Sequence, residues 1–440
     1  MSARAGREMI EPATELTLDI EKVAIGGRMI ARHEGRVVLV AGVIPGERVR
    51  ARIERVQRDV IYATVTEVLR AHPARRSPGR DPACGGMTMS HVTPEHQRAL
   101  KADMVADAFA RIGRLALGTE VPVAASPDDA YRMRARVHLR GGLLGSFREG
   151  SHEICEVGQT GQLSEPCLAA LAALAETCAR RGVTHVDAID LAENLDGRQR
   201  VVNLEQPEDP ALTARLLADL SMIDGVTGVT RTTRRGGVPR AHGGRPWVED
   251  PLAAFIGDRG HVAADVLLRR QPTAFFQANR FLTPVLAQQV TEALIDGPVL
   301  DLYTGVGLFA LCAAAAGHEP VVAVEGDAVS VADLHENAKP FGRRVRVEHQ
   351  PVEAYLRQAR QARIETTIVD PPRTGMSKDA LAGVIALEPP RVVYVSCDVA
   401  TLARDAQRLV RSGYRLERVA GFDLFPNTPH VEVMGVFDRA

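Results

Sequence analysis

The chain has no apolar run of the roughly 18 residues that a membrane-spanning helix needs. Its opening, MSARAGREMIEPATE, lacks the apolar core of a signal peptide. It has no surplus of one charge either: the formal net charge is −1, so the molecule as a whole is not a polycation that coats nucleic acid. Cysteine is sparse, six in 440 residues, scattered without a spacing that suggests disulfides. These absences lead us to expect a cytoplasmic protein in a reducing compartment, with one or two thiols at most doing chemistry. What is present fits a folded chain, with 45% hydrophobic and 25% charged residues. The length is two to four times that of an ordinary domain, so two or three domains are expected.

Charge is unevenly spread. Residues 21 to 80 hold 13 Lys/Arg against 6 Asp/Glu, an excess of 7 (13 − 6), which makes this portion a candidate RNA-facing surface. From Leu16 to about Arg70 the chain reads as short alternating strands, LTLDIEKVA, RVVLVAGV, ERVRARIERVQRD and VIYATVTEVLRA, broken by Gly26-Gly27, Gly42 and Pro45-Gly46. A small OB-like β-barrel over residues 10–70 is the natural closure, and such a barrel serves equally as an oligonucleotide binder or a structural cap. HPARRSPGRDPACGG then reads as a linker. A helix follows from Pro94 towards Leu115, expected to pack on the catalytic domain. The stretch 71–265 is assigned to this linker and a mixed α+β central domain. Within it, YRMRARVHLR places Arg132, Arg134, Arg136, His138 and Arg140 at a period of two, on one face of a strand. Phosphate contact and a solvated outer face both explain that row. The basic loop TRTTRRGGVPR, residues 230–240, carries the same ambiguity.

From about Gly297 the pattern changes. VLDLY, VVAVE, VRVEH, TTIVD and VVYVS read as strands separated by amphipathic helices, the signature of a doubly wound parallel sheet over 266–440, closed by two final strands. After the first strand comes D-L-Y-T-G-V-G, Asp301 to Gly307, running straight into a helix. Glycines there let backbone approach a ligand while the helix N-terminus faces it. Glu325 ends the second strand, 20 residues beyond Gly305, where a carboxylate can accept from ribose hydroxyls. Three further strand ends or loops carry unusual chemistry: Asp370-Pro371-Pro372-Arg373, Ser396-Cys397-Asp398, and PNTPHVE ending at Glu432. A dehydrogenase has no use for that set.

A methyltransferase acting on carbon 5 of uracil does. That carbon is a poor nucleophile until a thiolate adds to carbon 6 and turns the ring into an enolate. After methyl transfer, a carboxylate must remove the carbon 5 proton so that the thiol can leave. Cys397 and Glu432 are the candidates for these two tasks, with Asp370 placed to bind the cofactor or the uracil edge. Cys312, inside the apolar ALCAAAAG, reads as packing.

At this point DLYTGVGLFA, TTIVDPPRTGM, VVYVSCDVATLARD and FDLFPNTPHVEVMGVF together resemble the RNA uracil-5-methyltransferase family, whose bacterial members modify ribosomal or transfer RNA. FFQANRFLT resembles that family's cofactor-contacting segment, and the N-terminal barrel resembles its TRAM domain. The resemblance implies a class I fold and S-adenosylmethionine bound by Gln277, Tyr303, Gly305, Gly307, Glu325 and Asp370. It implies Cys397 as nucleophile and Glu432 as base. RNA would be the partner, large-subunit (23S) ribosomal RNA ahead of transfer RNA, and the protein a monomer. Two departures stand out. Val399 replaces a usual proline, so the loop after Cys397 is expected to bend differently. Members with this barrel often carry a four-cysteine iron–sulfur cluster, yet here Met87, Pro78 and Thr160 fill three ligand positions beside Cys84. Cys155 lies nearby, but two thiols are too few, so no cluster and no other metal is expected. Rival readings are a cytosine carbon 5 enzyme, an amino-group methyltransferase, which Arg373 argues against, and an RNA-binding adapter with a decayed catalytic domain.

Overall fold

Alternation of buried and exposed residues rolls the N-terminal strands into a barrel: Leu16, Leu18 and Ile20 of β1 (Glu15–Val23) point inward between polar neighbours. β2 (Met29–His33), β3 (Arg36–Ala41), β4 (Arg48–Gln57) and β5 (Val60–Arg70) complete it in the order β1-β2-β3-β5-β4, with β4 closing onto β1. The strand β2 is an addition to the four expected from sequence. A two-residue Glu34-Gly35 turn with positive φ at both residues joins it to β3. The structure, a computed structural model, describes residues 13–440 apart from 149–150, 184, 207–212, 236, 240, 261 and 360–362. Residues 10–12 of the expected barrel, and Gly236 and Arg240 of the basic loop, thus lie outside the described residues.

Helix α1 (Pro94–Ala108) has proline at its first turn and continues through a π-turn to Gly113. One side of it, Leu100 and Met104, joins the barrel core; Ala102, Val105 and Ala108 join the core of the C-terminal sheet. The short strand β6 (Val123–Ala124) adds to the edge of that same sheet.

The central region is built on a seven-stranded sheet of β7 (Arg134–Arg140), β8 (Leu143–Phe147), β9 (Ile154–Glu156), β10 (His185–Glu193), β11 (Arg200–Glu205), β12 (Gly228–Thr232) and β13 (Ala241–Gly244), in the order β13-β12-β11-β10-β7-β8-β9. Helices α2 (Glu165–Arg180) and α3 (Ala214–Ser221) cover its apolar face, with Ala135, Val137 and Leu139 of β7 against Leu171 and Leu174 of α2. The arginines of β7 take the other face. Arg132 precedes the strand and forms an isolated bridge with Asn279, so the strand carries four of the five basic residues expected on it. A hairpin of β14 (Val248–Pro251) and β15 (Leu267–Arg270), with α4 (Ala253–Ile256) between, leads onward.

The C-terminal sheet follows from α5 (Leu282–Glu292), β16 (Val299–Leu302), α6 (Leu308–Ala315), β17 (Val321–Glu325), α7 (Ala328–Ala338), β18 (Val345–His349), α8 (Val352–Gln358), β19 (Thr366–Val369), α9 (Lys378–Leu387), β20 (Arg391–Ser396), α10 (Val399–Arg411), β21 (Tyr414–Phe422) and β22 (Glu432–Arg439). The order is β18-β17-β16-β19-β20-β22-β21-β6: five parallel strands, then β22 antiparallel to both its neighbours. Strands buried on both faces read as apolar runs, such as VVAV in β17 and VVYV in β20. One face packs on α5, α6 and α7, the other on α8, α9, α10 and α1. Among the described residues no helix is long and apolar enough to cross a membrane.

The cysteines correct one expectation. Cys84 and Cys155, 71 residues apart, form a disulfide with a Cα–Cα separation of 5.7 Å. Sequence spacing gave no sign of it because the pairing depends on the linker running beside the β8–β9 hairpin, where Cys84 bridges Arg148, just after β8, in the antiparallel sense. Cys167, Cys178 and Cys312 are free and buried, whereas Cys397 is free and half-buried.

Candidate active site

Every parallel strand of a doubly wound sheet delivers its carboxyl end to one edge, and the sequence-predicted residues collect there. After β16 the chain turns sharply through Tyr303 (φ 63°), Gly305 (φ 61°) and Gly307 (φ 104°) before α6 begins at Leu308. A Cβ on Gly307 would stand 2.7 Å from the Leu334 side chain, so this position needs glycine for space as well as for φ. Glu325, at the end of β17, accepts from the Gly305 N–H at 2.7 Å and from the Asp327 N–H at 2.6 Å. The carboxylate therefore braces the glycine turn. A narrow pocket beside the turn is lined by Phe275, Phe276, Gln277, Tyr303, Thr304, Gly305, Val306, Leu308, Phe309 and Asp370. Gln277, Tyr303, Gly305 and Asp370 thus share one cavity, while Glu325 braces the turn beside it and Gly307 lies within that turn, neither lining the cavity.

The carboxyls here are raised above the ordinary acid range. Gln277 Nε2 donates to Asp370 Oδ2 at 3.4 Å, yet burial dominates and pushes the Asp370 carboxyl up to about 7. Asp301, on β16, is fully buried, and neither carboxylate oxygen meets a partner at hydrogen-bond geometry among the described residues; the Thr304 hydroxyl and Ala310 N–H offer electrostatic relief only. Burial, aided by the nearby Asp370, raises its carboxyl well above the usual range.

Cys397 and Glu432 meet because β22 is reversed. Ser396 of β20 pairs with Val433 of β22, so one further step of the antiparallel register sets Cys397 opposite Glu432. Burial pushes the Cys397 thiol up to about 12, and the negative potential of Glu432 and Asp370 adds to it; the Arg373 guanidinium, in hydrogen-bond reach, works the other way. Glu432 is buried, and its carboxyl is raised well above the ordinary value by burial and Asp370, again with Arg373 opposing. After Cys397, Asp398 caps α10 by accepting from the Thr401 N–H at 2.9 Å. Val399 is therefore the first residue of the helix, the position where proline is best tolerated.

Sequence reading used Arg373 only to argue against a rival, quoted Asp301 without a role, and missed what holds the Glu432 loop. Asn427, at φ 63°, is clamped: its N–H donates to Gln97 Oε1 at 2.8 Å, and its side-chain oxygen accepts from Gln97 and Arg76, both at 2.9 Å. Lys101 of α1 forms a buried ion pair with Asp423 and also donates to the Phe425 carbonyl at 3.1 Å. Pro429 packs against the barrel so closely that a Cβ on Gly27 would lie 2.5 Å from it. A signal existed: Gln97 and Lys101 sit at i and i+4 on one helix face.

The arginine row divides. Arg136 is engaged by Asp190 and Glu205, each at 2.8 Å. Arg132 donates to Gln162 at 2.7 Å and lies over the Phe425 ring, 5.7 Å from its centroid. Arg134 lies over the exposed Phe275 at 5.6 Å, its Nε buried without a partner. Arg140 is exposed. For metal, the donor set around Cys84 does not fit the cluster that the resemblance raised: Cys84 and Cys155 are spent on each other, and Met87 packs against them.

The fold as a whole matches a solved structure, the Pyrococcus abyssi tRNA (uracil-54, C5)-methyltransferase in complex with S-adenosyl-L-homocysteine, with a TM-score of 0.77 over 96% of this chain and 99% of that one at 22% identity. The tRNA (Uracil-5-)-methyltransferase family profile matches residues 356–439 and the TRAM domain profile residues 11–66. A 23S rRNA (uracil(1939)-C(5))-methyltransferase RlmD from Alkalilimnicola ehrlichii is 33% identical over 97% of both chains. One of the same name from Chromohalobacter salexigens is 34% identical over 98% of this chain and 90% of its own. The chain belongs to the RNA (uracil-5-)methyltransferase family.

Proposed function

We propose that the protein methylates carbon 5 of a uridine in structured RNA, with 23S ribosomal RNA as the substrate class, through a covalent bond from Cys397 to the base. The observation that supports this best is the reversed strand β22, which puts a thiol and a carboxyl opposite each other beside the glycine turn. The named substrates of the relatives at 33% and 34% identity favour 23S rRNA.

S-adenosylmethionine supplies a sulfonium-activated methyl group, and Gln277, Tyr303, Gly305, Gly307, Glu325 and Asp370 are the residues we assign to hold it. Cys397 gives up its proton to solvent, its sulfur bonds to uracil carbon 6, and the carbon 5–carbon 6 double-bond electrons move onto the enolate. Carbon 5 then takes the methyl group as the methyl–sulfur bond breaks. Glu432 accepts the carbon 5 proton, the ring double bond re-forms, and the carbon 6–sulfur bond breaks to free the Cys397 thiolate. Raising the Glu432 carboxyl makes its carboxylate form a stronger proton acceptor. Arg373 stabilises the thiolate. Arg132, Arg134 and Arg140 are assigned to the RNA backbone on the same side; Arg136, also in that row, is bound to its own carboxylates.

The test is incubation of the protein and labelled S-adenosylmethionine with unmodified ribosomal and transfer RNA, followed by mass spectrometry of the nucleosides. 5-Methyluridine in the 23S pool is expected. 5-Methylcytidine would reassign the base; 5-methyluridine in transfer RNA alone would reassign the substrate.

A further inference from the structure

Where the resemblance raised an iron–sulfur cluster, this chain holds a buried cystine. Cys84 is wholly buried and Cys155 is 3% exposed, with Met87 completing a small apolar cluster around them. The bond joins two segments that otherwise touch through a few polar contacts: Cys84 lies in the linker after the barrel, Cys155 on β9 of the central sheet. The surrounding chain is fitted closely. A Cβ on Gly85 would lie 2.6 Å from the Phe147 carbonyl, Gln162 donates to the Gly86 carbonyl at 3.3 Å, and Arg148 pairs with Asp81 at 2.7 Å.

The linker leads from this bond to the catalytic loop in a few hydrogen bonds. The Met87 N–H donates to the Cys84 carbonyl at 3.1 Å, and the Met89 N–H donates to the Asn427 carbonyl at 2.8 Å. Arg76, earlier in the same linker, holds the Asn427 side chain. Asn427 begins the turn that ends in Glu432. Fixing the linker against the central sheet therefore fixes the floor under the proton-abstracting carboxyl.

We propose that the Cys84–Cys155 pair is a reducible staple that takes the structural place of a metal cluster and positions the loop carrying Glu432. Reduction by a dithiol balances simply: the cystine gains two electrons and two protons and becomes two thiols, while the dithiol closes to its own disulfide. With the crosslink gone, the unfolded chain regains the freedom of a loop of 71 residues' separation. The remaining hydrogen bonds keep the linker docked less firmly. Cys84 and Cys155 are thus positioning residues, acting through Asn427. The claim about turnover rests on the function proposed above; the claims about thiols and melting do not.

The full-length protein, purified in air and without reductant, is alkylated under denaturing conditions before and after treatment with dithiothreitol. Four alkylated cysteines before and six after are expected, from the four free thiols and the six in the sequence. Reduction should lower Tm by about 5 °C and reduce kcat roughly threefold or more. The Cys84→Ala/Cys155→Ala variant should sit at the reduced level and ignore dithiol. Six alkylated cysteines before reduction, or stoichiometric iron and sulfide in anaerobically prepared protein, would overturn the staple itself. A reduced wild type with unchanged Tm and kcat would overturn its positioning role, and that comparison needs no variant to fold.

Discussion

The central sheet and the edge of the catalytic sheet both bury charge, but they do so in opposite ways. In the central region most buried charges have a counterpart: Arg200 and Arg280 share Glu193, Arg270 meets Asp250, and Arg136 lies between Asp190 and Glu205, while Arg134 keeps its Nε without a hydrogen-bond partner among the described residues. At the catalytic edge Asp370 lies near both Asp301 and Glu432, Arg373 is the cation beside Glu432, and all three carboxyls are raised above the ordinary range. Paired charge holds structure, and removing one partner leaves the other stranded. Unpaired buried charge costs stability, and a fold keeps it where a ligand or a reaction will supply what is missing.

That contrast can be broken experimentally. Its severest test is Cys397→Ala, which should lower methyl transfer by about 10⁴-fold or more without lowering Tm; residual turnover within tenfold of wild type would remove the covalent route. Next comes Glu432→Gln, expected to cost roughly 10²–10⁴-fold. It should let a covalent protein–RNA adduct accumulate, visible as a slow band on denaturing gels, because the carbon 5 proton has no acceptor. Loss of turnover with no adduct would assign Glu432 to an earlier step.

Asp370→Asn sharpens the comparison through pH. The folded-state carboxyl sits at about 7 against an ordinary value near 3.8, so between those values the folded protein holds a proton that the unfolded chain has lost. Stability from this group therefore falls as pH rises through that window. The variant should be more stable than wild type by ~1–3 kcal/mol at about pH 8 and equal to it at about pH 4, while binding S-adenosylmethionine about tenfold more weakly. A variant less stable at the higher pH would contradict the unpaired reading. The smallest effects separate two arginines of one strand. Arg136→Ala should destabilise by ~1–2 kcal/mol, since it strands Asp190 and Glu205. Arg140→Ala should leave Tm alone and reduce the salt slope of RNA binding by about one.

The same contrast explains what could be read in advance. Apolar strands such as VVAV and VVYV, the glycine turn at 305–307 and the acid at 325 announced the catalytic sheet, because burial on both faces leaves an unbroken signal. Cys397 and Glu432 were legible as chemistry at neighbouring strand ends. The central sheet was not. The carboxylates that neutralise Arg136 come from β10 and β11, which no local pattern links to β7. β2 was missed because MIARH mixes buried and polar residues without clean alternation. The disulfide, and the grip of Gln97 on Asn427 across 330 positions, are long-range facts that periodicity does not encode.

The reversed strand β22 also limits how this enzyme can vary in length. Side chains alternate faces along a strand, so a one-residue insertion or deletion that slipped β22 along β20 would set Val431 or Val433 against Cys397 in place of Glu432. The turn before it cannot absorb the slip freely, being pinned by α1, the linker and the barrel at Asn427 and Pro429. Changes of length in the loop before β22 should therefore survive only when paired with a compensating one, leaving the spacing from Asn427 to Glu432 one of the most inflexible distances in the chain.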